Sequence, residues 1–398
     1  MYPRISDLFN DLLGTDFLLP FQTFGVFLAL AFLSAYLVIR FEYRRLTGIG
    51  VFPSHEVDVK KGGEIKFFEV IISAVLYAIM GYKLGLMFED YTGFSEDPQS
   101  AILSTEGSIP GLLIGALIGG GWRFWDYRKK KGEEVRFEKE MHSMPEELPN
   151  IMVIAFVAGL LGAKVFHNLE NLDAFMADPW GQLFSFSGLT FYGGLIVGTV
   201  FMVRYIHKKG YKLLPFLDVT SMSVILAYGV GRIGCQMSGD GDWGEINNAV
   251  KPDWLSWAPD WFWSYDYPNN VLQRCNPDSS RYEHLNNCNW EELGRLAEPV
   301  FPTPIYETLM ALAIFGFLWF IRKKLPYWGQ LLGLFLFLNG IERFLIEQIR
   351  VNNKLDFLGM QVTQAEVIAS CMMLAGIAVV ALATFVWKQK ARHTPLKE

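Results

Sequence analysis

Nine stretches of this chain are apolar over close to the ~20 residues that a helix needs to cross the hydrocarbon of a bilayer. They run from about 18 to 39, 67 to 88, 108 to 127, 149 to 166, 189 to 206, 213 to 236, 303 to 321, 329 to 346 and 363 to 387. Few folds accept such a pattern. In lipid every backbone N–H and C=O must find its partner within the segment, so runs of this length are helices. The chain is therefore expected to be an all-α integral membrane protein, a polytopic helical bundle of about nine transmembrane helices. Its 51% hydrophobic and 15% aromatic residues are gathered into these runs, which separates it from a soluble domain of 398 residues.

Charge placement gives the orientation, because cytoplasmic loops collect Lys and Arg. With the N-terminus outside, the cytoplasmic stretches hold Arg40, Arg44, Arg45, Lys60, Lys61 and Lys66, then the basic run from Arg123 to Lys139. They continue with Arg204, Lys208, Lys209 and Lys212, then Arg322, Lys323 and Lys324, then Lys388, Lys390, Arg392 and Lys397. Most of the 35 basic residues fall on that side, which predicts N-terminus out and C-terminus in. The net charge of −6 adds little to this sorting, and nothing resembles a nucleic-acid surface. The first 16 residues do not read as a signal peptide, since Arg4 is followed by Asp7, Asp11 and Asp16 without an apolar run. Ile5, Leu8, Phe9, Leu12 and Leu13 share one helical face, so this segment is either a short interfacial helix or a solvated amphipathic turn.

The segment Lys83 to Tyr127 recurs as Lys164 to Lys208. Adding a constant 81 to Lys83, Glu89, Phe94, Asp97, Pro98, Ser104, Gly107 and Arg123 gives Lys164, Glu170, Phe175, Asp178, Pro179, Ser185, Gly188 and Arg204. Each copy reads as a helix end, an acidic outer loop with an Asp-Pro turn, and a glycine-rich descending helix. Glycines in such helices permit close approach between spans. The copies run parallel, and only the second carries Thr190-Phe-Tyr-Gly-Gly194, so the first is expected to be a structural annex. Repeats also occur in transporters, but those place ionisable residues at mid-span, whereas the charges here gather at span ends.

The domain organisation expected is 1–40, interfacial helix and first span; 41–148, the inserted pair of spans; 149–236, core spans; 237–300, an outer loop or cap; and 301–398, the last three spans and tail. In the outer loop, Cys275 and Cys288 would form a disulfide in an oxidising space. Cys235 and Cys371 are expected to be small packed residues. Trp254, Trp257, Trp261 and Trp263 either rest on the headgroup layer or form the core of a small cap.

Four polar clusters fall at the outer ends of spans: Tyr192-Gly193-Gly194, Arg232 to Gly244, Pro302 to Glu307, and Glu342-Arg343 with Glu347 and Arg350. An arginine at a helix end before a glycine-rich loop suits an anionic headgroup, or it snorkels to the interface. Arg343, Glu347 and Arg350 are spaced for one helical face, where Glu347 would pair with either arginine. Arg232 and Arg343 are expected at one depth, with more cation than the local carboxylates require. No metal site and no cofactor is expected.

At these residues the chain resembles the bacterial prolipoprotein diacylglyceryl transferase family, from about Met152 through the ninth span, with the first span also alignable. Thr190-Phe-Tyr-Gly-Gly-Leu-Ile corresponds to the family's His-Gly-Gly-Leu motif, and Gly231-Arg-Ile-Gly to its Gly-Arg-x-Gly-Asn. Pro302-Thr-Pro-Ile-Tyr-Glu corresponds to Pro-Ser-Gln-Leu-Tyr-Glu, and Arg343-Phe-Leu-Ile-Glu-Gln-Ile-Arg350 to the closing Arg-Phe-x-x-Glu-x-x-Arg. The resemblance implies transfer of the diacylglyceryl group of phosphatidylglycerol to the lipobox cysteine of preprolipoproteins, with release of glycerol phosphate, in the bacterial cytoplasmic (inner) membrane. The implied partners are phosphatidylglycerol, preprolipoprotein signal peptides and membrane lipid. It implies Tyr192, Arg232 and Arg343 as catalytic residues, with Arg232 on the headgroup phosphate and Arg343 at the transition state. Lys164, Gly193, Gly194, Gly239, Asp240, Tyr306, Glu307, Glu347 and Arg350 are the implied substrate-binding residues, the two glycines letting lipid approach the helix. Several positions depart from the family pattern: Tyr192 for histidine, Cys235 for asparagine, Phe24 for tyrosine, Phe301 for histidine, Lys164 for arginine, and Asp240-Gly-Asp-Trp for Glu-x-Trp. A member that kept the arginine pocket but lost the histidine's chemistry would be a non-catalytic phospholipid-binding paralogue, which is the alternative expectation.

Overall fold

The structure is a computed structural model that describes residues 1–91, 94, 101–102, 104–184, 188, 190–272, 295–352, 354–357 and 360–391. Each of the nine apolar runs is a helix. With α1 (Ile5–Leu13) lying before them, they are α2 (Thr23–Gly48), α3 (Phe67–Glu89), α4 (Ile109–Lys129) and α5 (Met144–Glu170). After the short α6 (Leu172–Ala177) and α7 (Pro179–Phe184) come α8 (Phe191–Lys208), α9 (Leu213–Ser238), α10 (Thr303–Ile321), α11 (Gln330–Glu347) and α12 (Gln364–Ala391). By length and apolarity 6 of these qualify as membrane spans: α2, α3, α5, α9, α10 and α12 up to Phe385. In α11 the apolar run is interrupted by Glu342, Arg343 and Glu347, the charges that the fold brings to its site.

Local signals fix the helix ends. The side chain of Ser108 accepts from the Gly111 N–H at 3.0 Å and Pro110 occupies the first turn, which starts α4. Gly239 adopts φ 65 and donates its N–H to Cys235 O at 3.0 Å, which stops α9. The first turn of α11 is capped from another helix: Asp218 of α9 accepts from the N–H groups of Gly329 and Leu332, each at 2.8 Å. A carboxylate on the positive end of a helix satisfies donors that would otherwise be orphaned in the membrane, and it locks α11 to α9.

In the bundle, α9 packs against α2 and α10, α11 against α12, and α5 against α8 and α2. Glycines set the closest approaches. A Cβ at Gly162 of α5 would lie 2.5 Å from Gly193 O of α8, and one at Gly194 would lie 2.9 Å from Gly159 O. The inserted pair α3 and α4 packs chiefly on itself through Gly81, Gly85, Gly111 and Gly115, in the same manner. The two copies share finer detail. In both, the residue before the descending helix donates its N–H back to the ascending helix (Ser108 to Tyr82 O, 2.8 Å; Thr190 to Ala163 O, 3.1 Å). In both, its hydroxyl also meets the carboxylate at the end of that helix, Ser108 on Glu89 and Thr190 on Glu170. Asp97, Pro98 and Ser185 of the repeat lie outside the described residues.

Two antiparallel ladders were not foreseen. β1 (His55–Lys61) pairs with β2 (Arg136–His142), with His55 opposite His142, and ties the feet of the inserted pair together. β3 (Lys354–Phe357) pairs with β4 (Met360–Thr363) between α11 and α12. Helix α2 continues through the boundary expected after residue 40, and α5 begins before the one expected after 148, so the insertion is bracketed by these helices and the β1–β2 ladder. Residues Ile5–Leu13 do form the short amphipathic helix, with Phe9, Leu12 and Leu13 exposed. Cys371 is exposed on α12, not packed as expected, because the bundle faces the other side of that helix. The cap's core is Trp243, Tyr267, Leu296 and Val300. Trp254, Trp257 and Trp261 stand outside it at 72%, 76% and 44% exposure, which removes the reading of those rings as a cap core. Cys275 and Cys288 lie outside the described residues.

Candidate active site

The site forms where α9 and α11 end and α10 begins, on the same face as the cap. The N-terminal residues lie on that face too: Tyr2 N–H donates to Met237 O at 2.8 Å and the Met1 ammonium to Pro268 O at 2.6 Å. At the centre is Glu307 in the first turns of α10, fully buried. Arg232, in the last turns of α9, sets Nε 2.5 Å from Glu307 Oε2. Arg343 of α11 sets Nη1 3.7 Å from Glu307 Oε1, and Arg350 sets Nη1 3.3 Å from the same oxygen. Three guanidinium groups from two helices and a following loop thus converge on one carboxylate. Arg232 and Arg343 are brought together as the sequence predicted.

Further carboxylates complete the cluster. Asp242, in the loop after α9, pairs with both Arg232 and Arg350. Glu347 Oε2 lies 2.9 Å from Arg343 Nη2, while its Oε1 accepts from Asn352 Nδ2 at 2.6 Å. The Arg232 guanidinium lies over the Tyr228 ring, 5.2 Å from its centroid, and half-buried Tyr192 is among the groups that act electrostatically on Arg343. The expected surplus of cation is absent: Arg232, Arg343 and Arg350 are matched by Asp242, Glu307 and Glu347. The ion pairs engage Nε and Nη1 of Arg232 and both Nη atoms of Arg343. Each guanidinium carries five N–H donors, so capacity remains for an incoming anion.

Several expected residues take other roles. Arg350 does not continue the helical face of Arg343 and Glu347, because α11 ends at Glu347. The chain then pairs with the loop after α9, with Glu245 N–H on Ile349 O at 2.8 Å and a bridge between Gly244 and Arg350. Arg350 therefore reaches Asp242 and Glu307, and among the described residues Arg343 is the arginine that pairs with Glu347. Asp242 is the acid that meets the arginines; Asp240 instead accepts the Asp242 N–H at 3.3 Å beside Cys235. Burial and the neighbouring Asp242 charge push the Asp240 carboxyl above its ordinary value. Gly193 and Gly194 face α5: a Cβ at Gly193 would meet Gly162 O at 2.6 Å, and one at Gly194 would meet Ala163 Cβ at 3.4 Å. The approach they permit is that of a helix and not of lipid. The Tyr306 hydroxyl donates to Phe262 O at 2.6 Å and so ties α10 to the tryptophan loop. Lys164 is buried on α5; in the first copy its counterpart Lys83 donates to the carbonyls of Ala101 and Glu106 at 3.3 and 2.7 Å. Gly239 terminates α9 and would strike Asn270 with a side chain.

Asp242, Gly244 and Glu342 fell within the polar clusters of the sequence but were given no role there, and Tyr228 lay outside those clusters. The Asp-Gly-Asp spacing was visible, but two acids in a glycine loop do not reveal which one turns inward. Cys235, Asp240 and Asp242 place one ligand atom each within 4.8 Å of one another. A cation there would compete with two guanidinium groups for Asp242.

A family model described as prolipoprotein diacylglyceryl transferase matches residues 133–382. The match begins beyond α4, so the inserted pair α3 and α4 lies outside it. The phosphatidylglycerol–prolipoprotein diacylglyceryl transferase of Dehalococcoides mccartyi is 26% identical over 296 residues, covering 73% of this chain and 91% of that protein. The enzyme of the same name from Corynebacterium glutamicum is 25% identical over 256 residues, 63% of this chain and 72% of its own. That of Vibrio vulnificus is 27% identical over 254 residues, 62% and 77% respectively.

Proposed function

The chain belongs to the prolipoprotein diacylglyceryl transferase family, and from that premise we propose that it moves the diacylglyceryl group of phosphatidylglycerol onto the lipobox cysteine of preprolipoproteins. The thiol sulfur forms a thioether to the glycerol carbon, and the carbon–oxygen bond to the phosphate breaks to release glycerol phosphate. The observation that carries the proposal is the convergence of Arg232, Arg343 and Arg350 on Glu307.

The leaving phosphate gains charge as the bond breaks. Preorganised guanidinium donors at the membrane rim stabilise that charge where little water competes. Glu307 sets their spacing, so they need no rearrangement when the headgroup arrives. Arg232 holds the headgroup phosphate and Arg343 takes the charge that develops in the transition state. Tyr192, standing where the family has histidine, hydrogen-bonds a phosphate or ester oxygen. Arg350, Glu347 and Asp242 hold the arginines, Tyr306 holds the cap, and Gly239 shapes the loop over the headgroup. Lys164 adds a further positive charge at the outer end of the core spans. The site faces the outer side of the bacterial cytoplasmic membrane, with the N-terminus outside. There the lipobox of a preprolipoprotein signal peptide reaches it, while Trp254, Trp257 and Trp261 rest on the headgroup layer.

The replacement of histidine by Tyr192 favours a second reading, a paralogue that binds phospholipid without turnover. Purified protein in vesicles with labelled phosphatidylglycerol and a lipobox peptide separates the two. A thioether product that disappears when the peptide cysteine is replaced by serine supports the transferase. Retained lipid with no product supports the paralogue.

A further inference from the structure

Asp242, Glu307 and Glu347 each face at least one guanidinium nitrogen. Glu342 does not. It is 2% exposed, it makes no ion pair among the described residues, and its Oε2 has no hydrogen-bond partner there. Among the described residues its Oε1 is reached by the Tyr228 hydroxyl alone, at 3.4 Å. A buried carboxylate oxygen without a partner is costly, and the helices do not need it, because Glu307 and Asp218 already join α11 to its neighbours.

Its position gives it a use. Helices α9 and α11 both run toward the site; Tyr228 comes one turn, ~6 Å, before Arg232, and Glu342 comes directly before Arg343 with its Oε1 on the Tyr228 hydroxyl, so this pair lies deeper in the membrane than Arg232. A lipid whose phosphate sits on Arg232 has its acyl chains, and therefore its diacylglycerol carbon, on that deeper side. Displacement in line requires sulfur to arrive opposite the departing phosphate oxygen, which is again the deeper side. The groups around Glu342 are Tyr228 and Arg232 from α9, Glu307 from α10 and Arg343 on its own helix. Helix α12 meets α11 through glycines, at Gly333 and Gly340.

We propose that Glu342 is the general base that takes the proton from the lipobox thiol, in the role left open by Tyr192; the proposal rests on the transferase reading above. Oε2 accepts the S–H proton while the sulfur pair forms the bond to the glycerol carbon. The carbon–oxygen pair leaves with the phosphate, and the proton then passes from Glu342 to the departing phosphate monoester, restoring the carboxylate. Tyr228 orients the carboxylate through Oε1 and keeps Oε2 turned to the substrate.

The test compares wild type with Glu342→Gln using phosphatidylglycerol vesicles and two lipobox peptides, one with cysteine and one with selenocysteine, whose selenol is ionised at neutral pH and needs no base. With the cysteine peptide the variant is expected to lose about 100-fold in turnover at pH 7, the low end of what a positioned base supplies. The loss narrows as pH rises toward the thiol's ordinary pKa of about 8.5, and the selenol peptide restores turnover to near the wild-type rate. A structural role predicts equal losses for both peptides at every pH, and that result overturns the proposal. So does an undiminished rate with cysteine. If wild type itself forms no thioether, the transferase reading fails first and takes this proposal with it. Should Glu342→Gln not fold, Glu342→Asp, which keeps the charge but withdraws it by one methylene, is expected to show the same selenol preference in smaller measure, and its absence counts against the base.

Discussion

Arg232 Nε lies 2.5 Å from Glu307 Oε2, in a pair whose carboxylate is fully buried and whose other oxygen is shared by Arg343 and Arg350. A charge so placed acts as the hub of the site. Glu307→Gln leaves three guanidinium groups facing a neutral amide, and breaking a buried pair in this way costs about 3–5 kcal/mol. The variant is expected to melt at lower temperature in detergent and to lose transfer. An unchanged melting temperature would show that Glu307 is not the hub.

Tyr192 stands in the electrostatic surroundings of Arg343. A hydrogen bond from its phenol to a charged phosphate contributes about 1.5–3 kcal/mol. Tyr192→Phe is therefore expected to lower kcat/KM by roughly tenfold or more, since 1.4 kcal/mol is a factor of ten. Full activity in the variant, measured by steady-state kinetics, removes Tyr192 from the mechanism.

Asp240 gives a pH signature. Its carboxyl is held above the ordinary value of about 3.9 by burial and by Asp242. The fold therefore prefers the protonated form: its stabilisation is complete below the ordinary value and is lost as pH climbs through the raised one. Asp240→Asn removes that titration. Its melting temperature relative to wild type is expected to rise between acid and neutral pH and then level off. A pH-independent difference contradicts the assignment.

The two glycine-packed hairpins separate function from insertion. Gly193→Leu drives a side chain into Phe166 and Gly162 and so splits α5 from α8, next to the site. Gly111→Leu drives one into Gly81 and splits α3 from α4, outside the family match. Transfer is expected to be lost in the first variant and kept in the second. Loss in both would give the inserted pair a part in the reaction.

The contrast between Glu347 and Arg350 shows what the sequence could convey. Apolar run lengths marked every long helix, and motif order brought Arg232, Glu307 and Arg343 to one face, because both depend on short-range spacing and bilayer thickness. Helical spacing also put Arg350 beside Glu347. It failed there because α11 ends where Ile349 is captured by Glu245, a pairing between residues about a hundred positions apart. The same reason hid Asp242, whose carboxylate meets Arg232 of α9 and Arg350 from beyond α11. Glycines 193 and 194 were visible as a small-residue surface, yet nothing local told whether lipid or another helix would fill it. Glu342 stands beside Arg343 with nothing local to mark it, since an unpaired carboxylate is recognised only once the partners of its neighbours are known.

The central claim is that guanidinium groups from α9 and α11 grip one lipid phosphate and support its departure. The most direct measurement is the yield of thioether, by mass spectrometry, from phosphatidylglycerol and a lipobox peptide with wild type and with Arg343→Lys. Lysine keeps the charge but lacks the planar fork, so wild type is expected to form the product and the variant to fall by about 100-fold or more, the scale of losing one preorganised donor. Equal yields from the two proteins would contradict the account.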